Sequence, residues 1–140
     1  MPDYYSLVEL PGNFVGAHPV AAATIIPAGG LVALNAAGNA VKADSTVTGF
    51  AIGRSAEAVD NSTGAIGDKT VVVQRGVFGC ALDATNPPNK THVGGRVWIT
   101  APDTVTSLNT ATCRGGILLG FDGQGRAIVD FNESNKTAGL

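Results

Sequence analysis

Apolar positions along this chain come in short runs, and turn-forming residues separate them at regular intervals. Thr24-Ile25-Ile26 is closed by Pro27-Ala28-Gly29-Gly30, where proline presets one φ angle and glycine supplies positive ones. Leu31-Val32-Ala33-Leu34 follows, then a polar loop around Gly38, then Val41-Lys42-Ala43-Asp44, which alternates as a half-exposed strand does. Gly49-Phe50-Ala51-Ile52-Gly53 is bounded by glycine at both ends. Residues 70–82 form the longest strand region, and Gly76 inside it predicts a bulge or sharp bend. Residues 96–100 make another strand. At the end, Ile117-Leu118-Leu119-Gly120-Phe121 runs into the turn Asp122-Gly123-Gln124-Gly125 and returns as residues 126–131, with Ala127, Val129 and Phe131 on one face.

The pattern leaves little for helices. Residues 55–60 could form a single helical turn, too short to stand alone. Residues 83–95 read as a long polar loop, and residues 103–111 as an edge strand or a loop. About eight short strands predict an all-β fold, a small β-barrel or β-sandwich. An internal echo runs through it: Gly30-Leu31-Val32-Ala33-Leu34 resembles Gly95-Arg96-Val97-Trp98-Ile99, and Gly49-Phe50-Ala51-Ile52-Gly53 resembles Gly116-Ile117-Leu118-Leu119-Gly120. This spacing suggests two related halves.

The two ends read differently. Residues 1–19 carry Pro2, Pro11 and Pro19 and no period of 2 or 3.6, which predicts an extended N-terminal arm. Residues 20–131 are the single β domain, and residues 132–140 a frayed C-terminal tail.

Composition narrows the function classes. Of 140 residues only 14% are charged, the formal net charge is -2, and the nine Lys and Arg residues are scattered. Nothing is arranged to neutralise a phosphate backbone, so nucleic acid is not an expected partner. No run reaches the ~20 apolar residues of a membrane span, so no membrane partner is expected. The start Met1-Pro2-Asp3-Tyr4-Tyr5 has no basic residues and no apolar core, which predicts a cytoplasmic product rather than a secreted one. A surface this poor in charge suits lasting protein contacts.

Candidate chemistry is sparse. His18 and His92 fall in no ligand spacing, and both are expected at the surface. Cys80 and Cys113 match no metal or redox motif and are expected as two small, partly buried thiols, with a disulfide the alternative. Asp60, Asp68, Asp83, Asp103 and Asp122 sit in turns, where carboxylates satisfy local N–H groups. Gly64-Ala65-Ile66-Gly67-Asp68-Lys69-Thr70 imitates a phosphate loop, but its glycines are too close and it opens a strand. No catalytic residue, metal or cofactor is expected.

Three stretches carry a family resemblance. They are Asp60 through Val73 with Gly76-Val77-Phe78, then Gly95-Arg96-Val97-Trp98-Ile99-Thr100 with Asp103-Thr104-Val105-Thr106, then Gly115 through Asp122 with Gly125-Arg126-Ala127-Ile128-Val129. In order and spacing they resemble the small decoration (cement) proteins of tailed-bacteriophage heads, a family sometimes mislabelled as a phage recombinase. The resemblance implies a homotrimer on the outside of an expanded capsid, bound to the major capsid protein and bracing the shell against packed DNA. It implies no enzymatic activity and no cofactor. Tyr4, Tyr5, Leu7, Val8, Leu10 and Phe14 of the arm, together with Trp98, are then the candidate capsid or inter-subunit contacts. For the arm, packing on its own barrel or on a neighbour is an equal reading. For Trp98, a core or interface anchor competes with a sugar-stacking platform. The alternative function is a carbohydrate- or cell-surface-binding module displayed on a virion.

Overall fold

The closing hairpin is the clearest case of pattern becoming structure. In a computed structural model that describes residues 15–132, Ala127, Val129 and Phe131 all point into the core with no exposed surface. Asp122 makes the turn: its carboxylate accepts the backbone N–H groups of Gln124 and Arg126. The described residues are nearly all β, with one single-turn 3₁₀ helix at Lys90–His92.

Among the described residues twelve strands form, against about eight expected. They are β1 (Val15–Pro19), β2 (Thr24–Ile26), β3 (Leu31–Leu34), β4 (Ala40–Lys42), β5 (Gly49–Ser55), β6 (Val59–Asn61), β7 (Thr70–Gln74), β8 (Val77–Leu82), β9 (Arg96–Ala101), β10 (Thr104–Thr106), β11 (Cys113–Phe121) and β12 (Ala127–Asp130). The excess has identifiable sources. Gly76 splits the long 70–82 region in two. The last five residues of the expected arm become β1, paired along their length with β7. The stretch considered for a helical turn instead carries β6, which pairs with β2 in a small separate sheet. Residues 104–106 settle as a strand with neighbours on both sides.

The two halves suggested by the echo share one pairing scheme. In the second half, β8–β12, β12–β11, β11–β9 and β9–β10 pair antiparallel, and β10 returns to β8 in parallel, closing a five-stranded barrel. In the first half, β1–β7, β7–β5, β5–β3 and β3–β4 pair antiparallel. A single parallel bridge, Val20 to Ala40, closes that ring. Chain order and pairing order therefore coincide: β1, β3, β4, β5 and β7 correspond to β8, β9, β10, β11 and β12.

Residue correspondences follow from register. Leu34 faces Ala40 as Ile99 faces Val105, and Ser55 faces Val73 as Leu118 faces Val129. Each ring has its own apolar centre. Val32, Ala40, Val71 and Val73 belong to the first, and Val97, Val105, Ala127 and Val129 to the second. The glycine echo at the second site is slipped, however. It sets Gly53 against Gly120, whereas the pairing sets Gly53 against Gly116. In both positions an added Cβ would collide with a carbonyl oxygen of the next strand, Gln74 or Asp130, and press on Val73 Cγ1 or Val129 Cγ1.

The rings join where β5 and β11 start side by side, with Gly49 opposite Cys113 and Phe50 opposite Arg114. As a result β3 and β5 are covered on both faces. Val32 and Ile52 face the first core, while Leu31, Ala33 and Ala51 pack into the second. That double burial is why residues 31–34 read as an unbroken apolar run instead of an alternating one. Arg54 adds a further tie, with its guanidinium 4.8 Å from the centre of the Phe78 ring.

Candidate interaction surface

Strand β9 alternates cleanly. Val97 and Ile99 fill the second core, so Arg96 and Trp98 must face outward. The neighbouring strand places Arg114 directly across from Trp98 and Ile117 across from Arg96. Directly opposed side chains share a face, so the barrel carries a row of Arg96, Trp98 and Arg114; Phe50, where β5 meets β11, packs against the first core. Trp98 is half-buried on this outer face and is not a core residue.

The two arginines differ in their surroundings. Arg96 Nη1 donates to the Gly115 carbonyl at 2.7 Å. Burial, and then the charge of nearby Arg114, holds its pKa below the ordinary guanidinium value. The Arg114 side chain makes no hydrogen bond or ion pair with the described residues, and its Nε is shielded from solvent. Asp130, on the same face beyond Ile117, accepts the N–H of Asn132 at 2.8 Å.

Hollows flank the row. One of about 420 Å³ lies on one side of Trp98, with His92, Ser107 and Asn109 in its wall. Another, of about 370 Å³, lies beside Arg114 between Asn35, Phe50 and Thr112. A third, of about 770 Å³, lies among Ile25, Ala36, Val41 and Val47. Large apolar side chains also stand exposed at scattered places, among them Ile66 at 60%, Ile25 at 54% and Leu119 at 49%.

The other residues weighed in the sequence divide sharply. Tyr4, Tyr5, Leu7, Val8, Leu10 and Phe14 lie outside the described residues. His18 is not in an arm: it sits in β1 opposite Val71, half-buried, and burial followed by the charge of Arg75 lowers its pKa. His92 stays in its loop, where Nδ1 accepts the Asn89 N–H at 2.9 Å and helps cap the 3₁₀ turn. Cys80 and Cys113 are free, buried thiols in the second core, and burial pushes each up to about 12.

The turn carboxylates behave as their positions suggest. Asp60, Asp68 and Asp83 accept the N–H groups of Ser62, Ala65 and Asn86. Asp103 is the exception, bonding the Thr104 hydroxyl instead. The imitation phosphate loop runs straight into β7. Among the described residues no group of three or more His, Cys, Asp or Glu side chains could hold a metal ion, and no helix is long and apolar enough to cross a membrane.

Sequence reading singled out Trp98 but missed the arginines beside it. The alternation of Arg96 and Trp98 against Val97 and Ile99 was a usable signal. Arg114 had none, because a register between distant strands brings it to Trp98. Compared with protein-family models, curated protein sequences and solved structures, the chain matches none.

Proposed function

We propose that this protein is a structural decoration module that binds the outside of an expanded tailed-phage capsid as a homotrimer, holding neighbouring major capsid subunits together against internal DNA pressure. The observation that carries this reading is a charge-poor body of two cross-connected β rings. A rigid β framework poor in charge suits lasting contacts with other protein surfaces. The stretches that resemble the decoration family fall on β6–β8, β9–β10 and β11–β12, which include the whole second ring.

Mechanically, such a module acts by linkage. A trimer offers three contacts, and once one is made the others bind at high effective concentration, so each can be weak. In this reading Tyr4, Tyr5, Leu7, Val8, Leu10 and Phe14 supply apolar grip. Burying ~500 Å² of such surface gives an upper bound on the order of 12 kcal/mol. Ordering the segment offsets much of that. The protein is made in the host bacterial cytoplasm and ends on the virion surface, with no enzymatic step and no cofactor.

One feature favours a second reading, a carbohydrate- or cell-surface-binding module. Half-buried Trp98 stands beside a hollow edged by His92, Ser107 and Asn109, an aromatic face next to hydrogen-bonding groups. The readings separate in two assays. Capsid decoration predicts a trimer in sedimentation and saturable binding to expanded heads. The second reading predicts glycan-array binding that Trp98→Ala abolishes.

A further inference from the structure

The duplication sets one face of the first ring against its counterpart in the second. Leu34 corresponds to Ile99 and Ser55 to Leu118, so Leu31, Ala33 and Ala51 stand where Arg96, Trp98 and Arg114 stand. The pairing agrees: Ala33 faces Ala51 as Trp98 faces Arg114, and Leu31 faces Arg54 as Arg96 faces Ile117. Between these pairs β5 and β11 each carry one extra residue, so the irregularity is duplicated as well. In the first ring this face is an interface, with Leu31, Ala33 and Ala51 buried in the second core. In the second ring it bears two guanidinium groups and an indole, and among the described residues no third ring covers it. Tryptophan and arginine are the side chains that dominate binding energy where proteins meet.

A complementary surface lies on the β2–β6 ribbon. Ile25 is level with Asp60, and both are exposed, while Ile26 and Val59 enter the first core. The Asp60 carboxylate accepts the Ser62 N–H of its own turn and makes no ion pair among the described residues. Ile25 also forms one wall of the hollow of about 770 Å³, with Ala36, Val41 and Val47 as its other apolar lining. The charges at that hollow, Lys42 and Asp44, are paired with each other at 4.0 Å. Asp60 is therefore the uncancelled charge beside an apolar receptacle, as Arg114 is beside an indole. We infer that the Arg96–Trp98–Arg114 face of one molecule docks on the β2–β6 ribbon of a second copy, with Trp98 in the hollow beside Ile25 and Arg114 paired with Asp60. The two surfaces differ, so the contact is head-to-tail and closes into a ring of copies. This inference rests on the homotrimer of the proposed function, for which it supplies the contact, and its test uses no capsid.

Trp98 is the chain's one tryptophan, so its fluorescence reports this contact alone. Sedimentation and Trp98 emission of the full chain are followed over a dilution series. The wild-type protein is expected to sediment as a trimer and, as dilution dissociates it, to show red-shifted emission and stronger acrylamide quenching. Asp60→Lys and Arg114→Glu should each be monomeric with the red-shifted spectrum. One chain carrying both changes should assemble again, which also shows that the reversed residues do not unfold it. Asp60→Asn keeps an oxygen that can accept the Ser62 N–H and should raise the dissociation concentration by about tenfold. Trimers with an unchanged Trp98 spectrum in both Asp60→Lys and Asp60→Asn overturn this inference and leave the homotrimer standing. A wild-type chain that stays monomeric at every concentration overturns both.

Discussion

Gly53 and Gly116 occupy the same place in the two rings. Each lies where the backbone of the next strand passes too close for a side chain, against Gln74 in one ring and Asp130 in the other. Each is flanked by an equivalent valine, Val73 or Val129, so the constraint is duplicated together with the pairing scheme. Gly53 carries the additional demand of φ +150°.

These glycines give the most direct stability prediction. Gly53→Ala or Gly116→Ala forces a backbone shift in a packed sheet, expected to cost about 2 kcal/mol and to lower the melting temperature by about 6 °C. Gly123→Ala, in a hairpin turn with open space around it, should be close to neutral. Thermal unfolding by circular dichroism distinguishes the two outcomes.

Asn61 is the buried polar hinge of the small β2–β6 sheet. It is 2% exposed, and its Nδ2 donates to the carbonyls of Ala21 and Ala65, both at 3.0 Å. Asn61→Ala takes the side-chain donor from both carbonyls, of which Ala65 keeps the Asp68 N–H, and should cost about 2 kcal/mol, read from the denaturation midpoint. Asn61→Asp should be at least as damaging, because a buried carboxylate has no donor to offer.

The cysteines predict a chemical silence and an alkaline weakness. Both thiols have native pKa values raised from 9.0 to about 12 by burial. Ellman's reagent should label neither until the protein unfolds. The raised native pKa also means that the unfolded chain loses these protons first. Stability should therefore hold below about pH 9 and fall as pH climbs toward about 12. Replacing both cysteines with alanine should flatten that decline.

His18 gives the acid counterpart. Its pKa is lowered from 6.5, first by burial and then by Arg75, so the folded state disfavours the charged ring. The associated stability is present above pH 6.5 and is lost as pH falls below it. His18→Asn should reduce the pH dependence of the melting temperature in this range without changing it at pH 8.

Local punctuation made much of the fold legible in the sequence. Gly76 broke a strand where expected, and residues 117–131 formed the expected hairpin, because turn chemistry acts within a few residues. Strand β1 was hidden, since Gly16, His18 and Pro19 have poor strand preference and the segment becomes a strand by pairing with β7. The duplication was half visible. The apolar residues of β3 and β9 align directly, whereas glycines in β5 and β11 match in more than one register, and the equivalence of Gly53 with Gly116 emerges from pairing alone. Trp98 was visible as a candidate. The face it belongs to was not, because Arg114 joins it from a distant strand.

Incubation of the purified full chain with expanded, undecorated heads of the phage that encodes it, followed by co-sedimentation, tests the functional reading most directly. The account predicts saturable binding in multiples of three copies and a rise in the melting temperature of the heads. Intact, expanded heads that bind no protein at micromolar concentration would contradict it.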